Sequence, residues 1–185
     1  MRLARIFCSL LIVVALTAAS ACAQKQAAPL RSPDVVFVPT PPEVIDAMLK
    51  LANVTKNDIV YDLGCGDGRI VTAAARDFGA RAVGIDIDPQ RIAEAKETVA
   101  KAGVGKLVTL RNEDLFQADI HEATVVTLYL LTSLNLKLQP KLLKELKPGT
   151  RIVSQTFDMG DWKPEKEIEV DGRSVYLWRI PANKK

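Results

Sequence analysis

The stretch Val60-Tyr-Asp-Leu-Gly-Cys-Gly-Asp-Gly68 decides how the rest of the chain is read. Asp58 to Leu63 is apolar and partly β-branched, the pattern of a strand. Glycines follow at 64, 66 and 68, and Gly68 to Phe78 has helical spacing with Ile70, Val71 and Ala74 on one face. A strand that runs through closely spaced glycines into a helix makes a tight turn whose backbone can approach a ligand. The helix start adds free N–H groups and the positive end of its dipole. Ligands of open α/β sheets bind at such carboxyl ends of strands. Taken alone, the glycines also fit a plain structural turn.

The flanking sequence supports an alternating β/α chain. Pro41 and Pro42 open a helix from about Glu43 to Ala52, with Thr40 as its expected N-cap. Arg81 to Ile87 reads as a strand, and Asp88-Pro89 starts a helix through Ala102 that Gly103 ends. Lys106–Leu110 and Thr124–Leu130 are further strands, Leu134–Leu146 a helix, and Thr150–Phe157 a fifth strand. Lys166–Val170 and Ser174–Ile180 flank Asp171-Gly172, a tight-hairpin signal. The pattern predicts an α/β fold whose mostly parallel sheet ends in an antiparallel hairpin.

The ends of the chain read differently. Arg2 and Arg5 precede an uncharged, largely apolar run from Ile6 to Ala19, and Ala21-Cys22-Ala23 offers small residues at cleavage spacing. The run is shorter than the roughly 20 residues that span a bilayer. A cleaved signal peptide, a lipoprotein leader that acylates Cys22 and an uncleaved anchor all fit, and each places the domain outside the cytoplasm, periplasmic or membrane-anchored facing outward. Residues 1–23 are thus a leader, 24–39 a linker within which Val35–Val38 offers a short apolar segment to dock, and 40–185 the domain.

Charge and cysteine usage narrow the function classes. Loss of Arg2 and Arg5 takes the formal +3 of the 185-residue chain to +1, with no clustered basic face for nucleic acid. Lys137, Lys141, Lys144 and Lys147 recur at helical spacing as a solvated face. Of three cysteines only Cys65 certainly lies in the domain, and there is no Cys/His cluster, so neither a disulfide framework nor a metal site is expected.

Three acids carry the chemistry. G-x-G-x-G differs from the G-x-G-x-x-G that cradles a pyrophosphate, and Asp62 in the preceding strand suits a cationic amino-acid group better. Asp86 ends the second strand 24 residues on, where a carboxylate can accept both hydroxyls of a ribose. Ile87 would lie against the base. Capping of the next helix is the alternative for this pair, and Asp88 is the better cap. Asn112-Glu-Asp114-Leu115-Phe116 is a third polar turn.

In this order and spacing, Asp62-Leu-Gly-Cys-Gly-Asp-Gly68, Asp86 and Asp114 resemble the class I S-adenosylmethionine-dependent methyltransferases. The resemblance covers about residues 40 to 180. It implies a Rossmann-like seven-stranded sheet of order 3-2-1-4-5-7-6 and S-adenosylmethionine as cofactor. It places Asp62, Gly64, Cys65, Gly66 and Gly68 at the methionine part, Asp86 and Ile87 at the ribose and adenine face, and Asp114 and Leu115 at the adenine edge. Val36-Phe-Val-Pro-Thr-Pro-Pro-Glu-Val44, Asp62 to Val71, and Phe157 with Trp162 are most similar to small protein-lysine methyltransferases of mitochondrial inner-membrane proteins. Tyr129-Leu-Leu-Thr-Ser133 departs from that family, so the lysine acceptor follows from resemblance alone.

Candidates for acceptor chemistry lie after strands four and five. Tyr129 and Asp158 are the catalytic candidates, with Thr132, Ser133, Asn135 and Trp162 beside them. Asp158 would orient an amine or take its proton, and Tyr129 with Trp162 would wall the neutral amine in apolar surroundings. His121, the single histidine, is expected at the surface. Asp158 to Glu165 is too short for a helix, which leaves an open lip suited to a protein side chain, although a small-molecule acceptor also fits. A monomer without nucleic-acid partners is expected, with membrane contact only through the leader or a lipid on Cys22. An exported S-adenosylmethionine-binding module without methyl transfer is the alternative, because the cofactor is made in the cytoplasm.

Overall fold

A computed structural model describes residues 30–182; the leader, Cys22 and the first part of the linker lie outside them. Five parallel strands start the sheet: β1 (Ile59–Leu63), β2 (Arg81–Asp86), β3 (Val108–Asn112), β4 (Val125–Leu128) and β5 (Arg151–Gln155). The antiparallel hairpin β6 (Lys166–Val170) and β7 (Arg173–Arg179) completes it, and the strand order is 3-2-1-4-5-7-6. The Rossmann-like architecture expected from the sequence is therefore present. Asp171 and Gly172 both take positive φ, which a two-residue turn between twisted strands requires.

Strand residues alternate between two cores. Val60, Ala82, Val125 and Val153 meet helices α1 (Pro42–Leu51) and α2 (Arg69–Phe78) on one face. Helix α3 (Pro89–Lys101) lies beside α2. Tyr61, Ile85, Val126, Leu128 and Ile152 meet helix α4 (Thr132–Glu145) and Trp178 on the other. The central β1 and β4 are buried on both faces, which explains their near-continuous apolar runs.

Several boundaries differ from those the sequence predicts. Pro41, not Thr40, is the N-cap of α1, and it carries no capping side chain. β3 lies two residues later than expected, because this half-exposed edge strand has a weak apolar pattern and its register is set by pairing with β2, Ala82 with Val108 to Asp86 with Asn112. β5 stops at Gln155 rather than Phe157, because Thr156 turns to φ +65°. α4 starts two residues earlier than predicted.

Candidate functional site

The carboxyl ends of β1, β2 and β4 open into one cleft of about 900 Å³, counting the space open to solvent. Asp62, Gly64, Cys65, Asp86, Ile87, Asp114, Leu115 and Tyr129 line it, so eight of the sequence candidates converge on one cavity. Gly66 and Gly68 belong to the same loop, and all three of its glycines have positive φ.

Asp62 sits inside the sheet beside Thr127, whose hydroxyl donates to Oδ1 at 2.8 Å. Burial, reinforced by the nearby charges of Asp86 and Asp67 and opposed by Thr127, pushes its carboxyl up to about 7. Asp86 is built into the glycine loop: Oδ2 accepts from the Gly66 N–H at 2.8 Å and Oδ1 from the Asp88 N–H at 2.9 Å. Asp88 in turn caps α3 by accepting from the Gln90 N–H at 2.8 Å. The helix cap expected of Asp88 is present, and Asp86, which does not cap the helix, shapes the loop. Each carboxylate oxygen of Asp86 keeps a lone pair for a ligand hydroxyl. Among the described residues neither Asp62 nor Asp86 forms an ion pair, whereas Asp67 pairs with Arg69 and Asp114 with Arg31.

Residues 31–40, which the sequence marks chiefly as linker, cross the mouth of this cleft. Arg31 Nε and Nη2 donate to the two oxygens of Asp114 at 2.8 and 3.1 Å, and its guanidinium lies 5.6 Å from the Phe116 ring centroid. The Arg31 hydrogen bonds hold the Asp114 carboxyl below its usual range, despite partial burial. Phe37 lies over the glycine loop so closely that a Cβ on Gly66 would fall 2.2 Å from its ring. The space over Gly66 is thus taken by protein rather than left to a ligand. Arg91 covers the outer face of Phe37 at 4.9 Å, and Arg69 Nη1 donates to the Thr40 carbonyl at 3.0 Å. Only the apolar run Val35–Val38 hints at this strap; nothing local in sequence links Arg31 to Asp114 or Phe37 to Gly66.

On the acceptor side, Tyr129 follows β4 and Asp158 follows the neighbouring β5. Tyr129 stacks on Phe157, with ring centroids 6.1 Å apart and planes at 26°. Asp158 is exposed, with Oδ1 3.5 Å from the Thr132 hydroxyl. Trp162 does not join this wall. It packs on Trp178 and accepts the Trp178 indole N–H at its carbonyl, 2.6 Å away. His121 is exposed beside Asp119.

Two acids without counter-charge, Asp62 fully buried and Asp86 half-buried, fit a ligand carrying a cation and a diol, the ammonium and ribose of S-adenosylmethionine. Comparison with known proteins agrees. The model of the ANTKMT methyltransferase domain matches residues 62–166. A protein-lysine N-methyltransferase of Saccharolobus islandicus (strain REY15A) is 48% identical over 157 residues, which are 82% of this chain and 98% of that protein.

The chain belongs to the ANTKMT methyltransferase family.

The adenine nucleotide translocase lysine N-methyltransferase of Mus musculus is 33% identical to this family member over 105 residues, which are 57% of the chain and 46% of the mouse protein. A solved structure from Salinibacter ruber, described as an RNA methyltransferase in complex with S-adenosyl-L-homocysteine, is 55% identical over 79% of the chain and 95% of its own, with a TM-score of 0.78. The protein is an S-adenosylmethionine-dependent methyltransferase, and nothing in these relatives supports a binding module that has lost transfer.

Proposed function

We propose that this methyltransferase modifies lysine side chains of proteins outside the cytoplasm. The observation that carries the acceptor is the Saccharolobus relative, a protein-lysine N-methyltransferase matched over 98% of its length. An open lip between β4 and β5, with no inserted substrate domain among the described residues, is consistent with a side chain presented by a protein. Export rests on Arg2, Arg5 and the apolar run from Ile6 to Ala19.

Asp62 would hold the cofactor's ammonium, Asp86 the ribose hydroxyls, and Ile87, Leu115 and Asp114 the adenine. Bound there, the cofactor supplies a methyl group on a sulfonium centre. Transfer to an amine needs no covalent enzyme intermediate, so the chain contributes alignment and the protonation state of the acceptor. Tyr129 and Phe157 present apolar ring surface, which disfavours the charged ammonium and favours the neutral, nucleophilic amine. Asp158 stands at the rim, where it can receive the proton and pass it to solvent.

RNA is the second reading, favoured by the description of the Salinibacter protein. Against it, six carboxylates line the cleft against three arginines, the reverse of a phosphate-binding surface. Incubation of the full chain with methyl-labelled cofactor and a cell-envelope extract tests both. Label that protease releases and that hydrolyses to methyl-lysine supports the proposal; label sensitive to ribonuclease overturns the acceptor. A fusion of the leader to a reporter active only outside the cytoplasm tests export, and an inactive reporter contradicts it.

A further inference from the structure

The end of β5 makes an abrupt turn. The Phe157 N–H donates back to the Gln155 carbonyl at 2.7 Å, closing a three-residue turn around Thr156 at φ +65°. A β-branched residue with positive φ is strained and persists only where its surroundings enforce it. The Thr156 N–H is held by the Ser174 carbonyl of β7 at 2.7 Å, and the far side of the turn is held by Asn135, fully buried on the first turn of α4. Its Nδ2 donates to the Phe157 carbonyl at 3.0 Å and the Asp158 carbonyl at 3.1 Å. Ser154 adds a hydroxyl bond to the Phe157 carbonyl at 2.6 Å. The product of this turn is the stacking of Phe157 on Tyr129, which lines the cofactor cleft.

We propose that Asn135 is a positioning residue for the methyl acceptor: it fixes the strained turn at Thr156 and, through Phe157, sets the ring of Tyr129 at the mouth of the cleft. The proposal rests on the acceptor role proposed for Tyr129. The Asn135 amide bonds to Ser154, Phe157 and Asp158 and does not line the cofactor cleft, so its effect belongs to acceptor alignment and not to cofactor affinity. Misplacement of a reacting group by an ångström costs as much as about a hundredfold in rate.

The test uses the full chain, with poly-L-lysine as acceptor and S-adenosylhomocysteine as cofactor probe. Asn135→Ala should lower kcat about tenfold or more. Affinity for S-adenosylhomocysteine should stay within about twofold. Asn135→Asp keeps the volume, removes the donor and carries the same expectation where the smaller residue leaves too large a hole. Phe157→Ala, at a half-exposed position, should give a similar loss, and the double variant should be no worse than either single one. Additive losses, or a fall in cofactor affinity parallel to kcat, overturn the proposal. Nuclear Overhauser contacts between the Tyr129 and Phe157 rings, present in the parent and lost in the Asn135 variants, give a readout that needs no acceptor. Their retention overturns the proposal. An inactive parent on poly-L-lysine counts against the lysine acceptor alone, because the ring contact still decides the role of Asn135.

Discussion

Asp62 and Thr127 face each other across β1 and β4, and the threonine hydroxyl donates a hydrogen bond to the buried carboxylate at 2.8 Å. With the carboxyl raised to about 7, ionising it in the folded protein is unfavourable unless a cation arrives.

That relationship makes cofactor binding pH-dependent. The folded carboxyl lies above its unfolded value of about 3.9. The burden on stability is therefore absent below about pH 4, grows between pH 4 and 7, and is complete above that, on the order of 4 kcal/mol for the free protein. A cationic ligand relieves it by favouring the ionised form. Affinity for S-adenosylhomocysteine should rise about tenfold from pH 6 to pH 8, with a proton released on binding near pH 6. Calorimetry in buffers of different ionisation enthalpy reads both. Asp62→Asn should flatten the profile, and Thr127→Val should move its midpoint to higher pH.

The glycine loop predicts two different failures. A Cβ on Gly68 would lie 2.8 Å from Ala95 Cβ and 3.1 Å from its Cα, at φ +76°. Neither helix backbone can yield cheaply, so Gly68→Ala should cost about 2–4 kcal/mol, a fall of roughly 5–15 °C in Tm.

Gly66→Ala meets the half-exposed ring of Phe37, which can swing away. Its Tm should fall much less, by the backbone strain of about 1 kcal/mol. Cofactor affinity should nevertheless drop several-fold as the strap lifts. Equal melting of the two variants would contradict this contrast.

Arg151 joins distant elements. Nη2 pairs with Asp58, and Nη1 donates to the Ala52 and Asn53 carbonyls beyond α1. Burial pushes the Asp58 carboxyl up, but hydrogen bonds from Thr124 and Thr55 and the Arg151 charge outweigh it and leave it below its usual value. A lowered carboxyl stabilises the fold above its unfolded pKa, and the contribution is lost as pH falls through the folded one. Arg151→Met should cost about 2–3 kcal/mol near neutrality. The gap to the parent protein, measured by thermal melts, should narrow below about pH 4.

The fold is legible in the sequence because β1, β4 and their loops obey local rules. The double-sided burial of β4 shows as an unbroken apolar run, and Asp171-Gly172 announces its own turn. Asp62, Asp86 and Asp88 are legible for the same reason, since their places follow from strand ends and a helix cap. The edge strand β3 is displaced from its apparent place because its register is set by Asp86–Asn112 pairing and not by its own pattern. The Arg31–Asp114 pair spans 83 residues, and Asn135 reaches Phe157 over 22, so neither leaves a periodic signal. Nearness in sequence to Phe157 points Trp162 toward the lip, but its packing against Trp178 draws it into the core.

The most direct test of the cofactor cleft is calorimetric titration of S-adenosylhomocysteine into the full chain and into its Asp86→Ala variant at pH 8. The parent should bind in the micromolar range, about −8 kcal/mol. The variant, still folded by circular dichroism, should bind at least about tenfold more weakly, a loss of about 1.4 kcal/mol or more. Equal affinity in the two folded proteins, or no binding to the parent, would contradict the assignment of this cleft.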